Sequence, residues 1–93
     1  MLIIGRVLWW DNRDQEGVIV DAENNEYYFN SSTFPEFSKF KSLEGRFVEF
    51  GKDKNIKHIR YASNIFVVPL NAQSKIKKSF ELKSKVNPPK ASM

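Results

Sequence analysis

The side chains best equipped for chemistry with a partner are aromatic and cationic. Trp9 and Trp10 stand together in "GRVLWWDNRDQEGVIV" (residues 5–20), and Tyr28 and Asn30 follow in "EYYFNSSTF". Arg6, Arg60, Lys75, Lys77 and Lys78 supply positive charge, and Phe47 a further ring. A flat π face stacks on any nucleobase, worth about 1–3 kcal/mol per base. Guanidinium groups stack or pair with phosphate, and lysines set against phosphates release condensed counterions. Catalysis finds no comparable set. His58 is the only histidine and cysteine is absent, which excludes disulfides, thiolate zinc sites and cysteine nucleophiles. No phosphate-cradling glycine loop occurs, the four glycines reading as strand-entry and turn positions. Asp11, Asp14, Glu23 and Glu26 lie in or beside turn chemistry, where solvated carboxylates are ordinary. The expectation is a protein that is not an enzyme and needs no cofactor or metal.

Charge is segregated along the chain. Residues 1–68 carry nine Lys/Arg against ten Asp/Glu, a net of −1, whereas residues 69–93 carry six lysines against Glu81 alone, a net of +5. A near-neutral body with a basic extension suits a polyanion. At 93 residues the chain fits one domain with a modest core. Its apolar opening run, Leu2 to Ile4, is far too short for a signal peptide or membrane span. Absence of cysteine suits a reducing compartment. These features predict a cytoplasmic protein without membrane contact, a monomer or weak homodimer.

The elements that must hold the aromatics read as β. Leu2 to Trp10, Gly17 to Val20 and Glu26 to Asn30 are rich in β-branched and aromatic residues, and Asp21 to Asn25 is turn chemistry, so the second and third runs form a hairpin. Ser31 to Glu44 spaces Phe34, Phe37 and Phe40 by three, which predicts a 3₁₀ or short helical turn with at least one phenylalanine plugging the core. A fourth strand spans Arg46 to Phe50, and a fifth runs from Ile56 to Val68 with a break near Ser63-Asn64. Five short strands with one long connection predict an all-β fold, a small five-stranded Greek-key barrel of the OB type over residues 1–68. Residues 69–93 form a basic C-terminal extension. Within it Ile76, Phe80, Leu82 and Val86 fall on even positions as in a sixth strand, while Ile76 and Phe80 alone also suit one face of a short helix. Pro88-Pro89 ends either element, leaving disordered final residues. Strand alternation sends Trp9 and Trp10 to opposite faces unless a bulge intervenes. One tryptophan therefore faces solvent.

These segments, with "LEGRFVEF" and "ASNI", resemble the cold-shock domain family over residues 5–65 with almost no gaps. The family pattern is roughly Gly-x-Val-Lys-Trp-Phe-Asn-x-x-Lys-Gly-Phe-Gly-Phe-Ile, Asp-Val-Phe-Val-His-Phe-Ser-Ala-Ile, Glu-Gly-x-x-Val-x-Phe and Ala-Ala-Asn-Val. The resemblance implies a five-stranded barrel whose second and third strands carry two nucleic-acid-binding motifs. It places the family's stacking tryptophan on Trp9, with Trp10 beside it or turned partly inward.

The departures matter as much. Gly-Phe-Gly-Phe becomes Gln15-Glu16-Gly17-Val18, so both stacking phenylalanines are lost and a carboxylate that repels phosphate replaces one of them. The second motif keeps a ring as Tyr28 but replaces its histidine and the next phenylalanine by Asn30 and Ser31, and the lysine before the tryptophan is Leu8. Phe47 aligns with an exposed position of the fourth strand and, with Arg6, His58, Arg60 and Tyr61, could compensate. The function expected is low-specificity binding of single-stranded RNA, or less readily DNA, by Trp9, Trp10, Tyr28, Asn30, Arg6, Phe47 and Arg60, aided by Lys75, Lys77 and Lys78. The rival expectation is a protein partner held and regulated by Trp9, Trp10, Val18 and Phe47, a mixed apolar patch.

Overall fold

Apolar residues at alternate positions give each strand one face to bury, and the chain satisfies this demand by curling a single sheet on itself. The computed structural model describes residues 2–52 and 58–86. It contains β1 (Leu2–Asp11), β2 (Glu16–Asp21), β3 (Glu26–Asn30), β4 (Phe47–Lys52), β5 (Ala62–Val67) and a helix, α1 (Leu70–Val86). The strands pair antiparallel in the spatial order β3-β2-β1-β4-β5. β1 is long enough to serve two partners, giving Gly5–Asp11 to β2 and Leu2–Arg6 to β4. Curling brings the far strands together: Tyr28 of β3 bridges in parallel to Tyr61, just ahead of β5, and its N–H donates to the Arg60 carbonyl at 2.7 Å. The result is a mostly β molecule, a curled half-barrel with one C-terminal helix. Among the described residues no helix is long and apolar enough to cross a membrane.

Both tryptophans are oriented by a β-bulge. Val7 stands opposite Ile19 and Trp9 opposite Val18, leaving Leu8 as an extra residue. The extra residue inverts the alternation, so Val7 and Trp10 point inward while Arg6, Leu8 and Trp9 point outward. A second irregularity lies where the sequence predicts a break in the fifth strand. Between the pairs Glu49/Phe66 and Gly51/Ser63, β5 uses one residue more than β4, and Asn64 takes a left-handed φ of 51°. The predicted beginning of that strand at Ile56 lies outside the described residues.

Inside the curl, Val7, Ile19, Tyr27, Phe29, Val48, Phe50, Ala62 and Ile65 form the core, joined by Phe34 and Leu43 from the long connection. That connection contains a 3₁₀ turn over Pro35–Lys39. Phe34 is the plug, meeting Phe29 edge-on at 6.2 Å and stacking on Phe40 at 6.0 Å. Gly5 and Gly17 both lie in strands, within the runs Leu2 to Trp10 and Gly17 to Val20 that the sequence predicts. Each stands in mid-strand where the curled sheet approaches too closely for a side chain, Ile19 and Phe50 crowding Gly5 and the Trp9 carbonyl and Phe29 crowding Gly17. The β2–β3 hairpin is organised by Asp21, whose buried carboxylate accepts the Glu23 and Asn25 N–H groups, both at 2.9 Å, and the Tyr27 hydroxyl at 3.0 Å.

The C-terminal extension is a helix and not a sixth strand. Its even-numbered apolar residues are separated by lysines, Glu81 and two serines, lysine and glutamate favouring helix, with no β-branched run to resist it. Ile76 and Phe80 then lie one turn apart on the half-buried face, and Phe80 meets Phe47 edge-on at 5.3 Å. Where Pro69 interrupts the ladder, the Gln73 carboxamide replaces a strand residue. It accepts the Phe47 N–H at 3.1 Å and donates to the carbonyls of Phe47 at 3.2 Å and Val68 at 2.6 Å. The final residues, predicted to be disordered, lie outside the described residues.

Candidate nucleic-acid interface

Register places the surviving aromatics in one row. Trp9 pairs with Val18, Val18 with Tyr28, and Tyr28 bridges to Tyr61, all on the outer face of the curled sheet. Trp9 is 39% exposed, enough to present part of its indole to a ligand. Tyr28 and Tyr61 meet edge-to-face, with ring centroids 5.4 Å apart and planes at 88°. Such a pair occupies only one of its four ring faces, and both residues are half-buried. Leu8, 44% exposed, flanks the row on β1.

The next row outward is polar: Asp11 pairs with Glu16, and Glu16 with Asn30. Its two ends are committed to turns. One Asp11 carboxylate oxygen accepts the Arg13 N–H at 2.9 Å, and the Asn30 side-chain oxygen accepts the Ser32 N–H at 2.9 Å. Asn30 therefore shapes the exit from β3 and has its acceptor occupied. Glu16 is held differently, accepting the Tyr28 hydroxyl at 2.7 Å. That bond leads the causes raising the Tyr28 phenol above its ordinary pKa of 10.0, ahead of burial, while Asn30 acts weakly the other way.

The other expected residues are dispersed. Trp10 lies inside, stacked on Phe29 at 5.3 Å and packed against Phe37 at 5.4 Å, with its indole N–H donating to Asn12 at 2.8 Å. Turned into the core, it offers no platform on the outer face. Phe47 is on the outer face, as its alignment implies, but only 5% exposed because α1 covers it. Spacing in β4 could not reveal that cover. Arg6 is exposed beside Val20 and Phe47 on the same face, and Arg60 is half-buried at the closure. Lys75, Lys77 and Lys78 lie exposed on α1. Tyr61, expected among the groups that could compensate, is brought beside Tyr28 by the curling of the sheet. Among the described residues, no group of three or more His, Cys, Asp or Glu side chains could hold a metal ion.

Tyr27 is raised above 10.0 as well, first by burial and then by its hydrogen bond to Asp21. A raised phenol gives a definite sign. Below the unfolded pKa both states hold the proton and the stabilisation is intact; above it the unfolded chain releases its protons first, so stability falls as pH rises through the folded pKa. Urea midpoints should therefore decline as pH rises past 10.0, the unperturbed value for both phenols, and Tyr27→Phe should flatten the decline. An equally steep decline in Tyr27→Phe would refute the assignment of this limb to Tyr27.

The chain matches no model of a known protein family and no curated protein sequence.

Proposed function

We propose that the chain is a diverged cold-shock-like barrel that binds single-stranded nucleic acid, RNA in preference to DNA, by stacking bases on its outer face. The observation that carries this reading is the aligned row Trp9, Val18, Tyr28 and Tyr61, which offers ring faces across neighbouring strands about 4.8 Å apart. The finer fold reading draws support from strand order. β1, β2 and β3 are linked by hairpins and β4 returns to lie beside β1, which is Greek-key connectivity of the kind found in OB barrels. Stacking accepts any base, so sequence preference is low. Lysines on α1 add attraction for phosphate. The rival protein-contact reading loses two of its four residues, because Trp10 is packed inside and Phe47 lies under α1.

Titration of the full chain with short single-stranded RNA and DNA, followed by tryptophan fluorescence over a range of salt, tests this. Quenching is expected, with log K falling against log salt by about 0.7 per neutralised phosphate. Replacing Lys75, Lys77 and Lys78 together by glutamine should flatten that slope while quenching at low salt persists. Loss of all quenching in the triple variant would reduce the interaction to a polyanion contact with the helix.

A further inference from the structure

A carboxylate among base-stacking rings is unfavourable for binding a phosphate backbone unless it has a task of its own. Glu16 is placed for one. It lies on the same outer face as Val18, two residues along β2, so its backbone is about 7 Å from the centre of the aromatic row. The neighbouring Asp11 and Asn30 have acceptors engaged in turns, whereas among the described residues the Glu16 carboxylate has one hydrogen bond, from Tyr28 to Oε1. A carboxylate offers about four lone-pair sites, so both oxygens can still accept. The Tyr28 hydroxyl also restrains the side chain, holding the carboxylate against Tyr28 at the edge of the aromatic row.

We infer that Glu16 reads the edge of a base stacked beside it and selects guanine. This rests on the proposed nucleic-acid function and specifies its one point of sequence preference. An ionised carboxylate only accepts hydrogen bonds. Guanine alone among the four RNA bases presents two adjacent donors, N1–H and the N2 amino group, on its Watson–Crick edge, matching the two carboxylate oxygens. Cytosine and adenine place an acceptor ring nitrogen beside their amino group, and uracil flanks N3–H with two carbonyls. Each would set a lone pair against a carboxylate oxygen. Single-stranded RNA leaves this edge free for reading, and charge-assisted bidentate pairs are the strong ones.

The test compares a short oligouridylate with the same oligomer carrying one central guanosine, adenosine or cytidine, titrated against the full chain and against Glu16→Gln and Tyr28→Phe. The wild type should bind the guanosine oligomer about tenfold tighter than the others, the discrimination a good bidentate pair gives. Glu16→Gln, nearly isosteric, should erase that preference while binding oligouridylate as well or better, because a negative charge has gone. Tyr28→Phe keeps the ring but frees the carboxylate, and should weaken the preference. Thermal melts of both variants establish that they fold. Equal binding of all four oligomers by the wild type, or a guanosine preference that survives Glu16→Gln, would overturn the role of Glu16 and leave base stacking standing. Failure of every oligomer to bind would overturn the underlying function as well.

Discussion

Gly17→Ala is expected to cost about 3 kcal/mol, the upper part of the usual range for overpacking a closely fitted site. A Cβ at this position would stand 2.5 Å from the Trp9 carbonyl and 3.0 Å from Phe29 Cε1. The first obstacle is backbone and cannot rotate away. The second belongs to the ring on which Trp10 stacks, with Gly17 between them in register on the inner face. Alanine would therefore push apart both the β1–β2 pairing and the stack beneath it. Against a total stability of roughly 5–15 kcal/mol this is a large loss. Gly51 provides the control, since a Cβ there meets nothing closer than 3.6 Å, and Gly51→Ala should stay within about 0.5 kcal/mol of the wild type. Urea unfolding followed by tryptophan fluorescence measures both. Equal midpoints for the two variants would refute the close approach at Gly17.

The second large effect concerns binding. Trp9→Ala combined with Tyr28→Ala removes two stacking platforms at about 1–3 kcal/mol each, so oligonucleotide affinity should fall by about thirtyfold or more. Each single change should give about fivefold or more. Anisotropy of a labelled oligonucleotide provides a readout independent of the lost indole, and a thermal melt separates loss of binding from loss of fold. The melt matters for Tyr28, whose removal also frees Glu16 and breaks the contact with Tyr61. Trp9 has no such structural duty, so Trp9→Ala is the cleaner single test. Undiminished affinity in the double variant would show that the aromatic row binds no bases.

The strands were legible because they depend on local alternation, but alternation alone requires only that one tryptophan faces solvent; Trp9 is singled out by the family resemblance, and the bulge at Leu8 is what turns Trp10 inward. Hairpin chemistry at Asp21–Asn25 and the Phe34 turn were legible for the same reason. What the sequence hid depends on distant partners. Phe47 has the alignment of an exposed residue, and α1 from the far end of the chain covers it, Phe80 meeting its ring. Tyr61 joins the row only when the sheet curls shut. The even spacing in residues 76–86 fits a strand as readily as a helix until β4 supplies a surface for Ile76 and Phe80, and helix propensity then decides. Glu16 reads as a plain liability in the chain. Its bond to Tyr28, across the β2–β3 pairing, changes what it can do.

The Gln73 carboxamide completing the β4–β5 ladder has a consequence for recognition. A solitary helix of this length is marginal in water, yet α1 is attached to the sheet by a side chain that imitates a peptide group. Three hydrogen bonds of this one carboxamide tie the first turns of α1 to Phe47 and Val68 just across Pro69. On the proposed function, a ligand meeting both the sheet and the lysines of α1 would lose less affinity to ordering the helix. On the same reading, preorganisation of this kind would favour strands that run along one path over the molecule, the two surfaces acting together as a bivalent receptor.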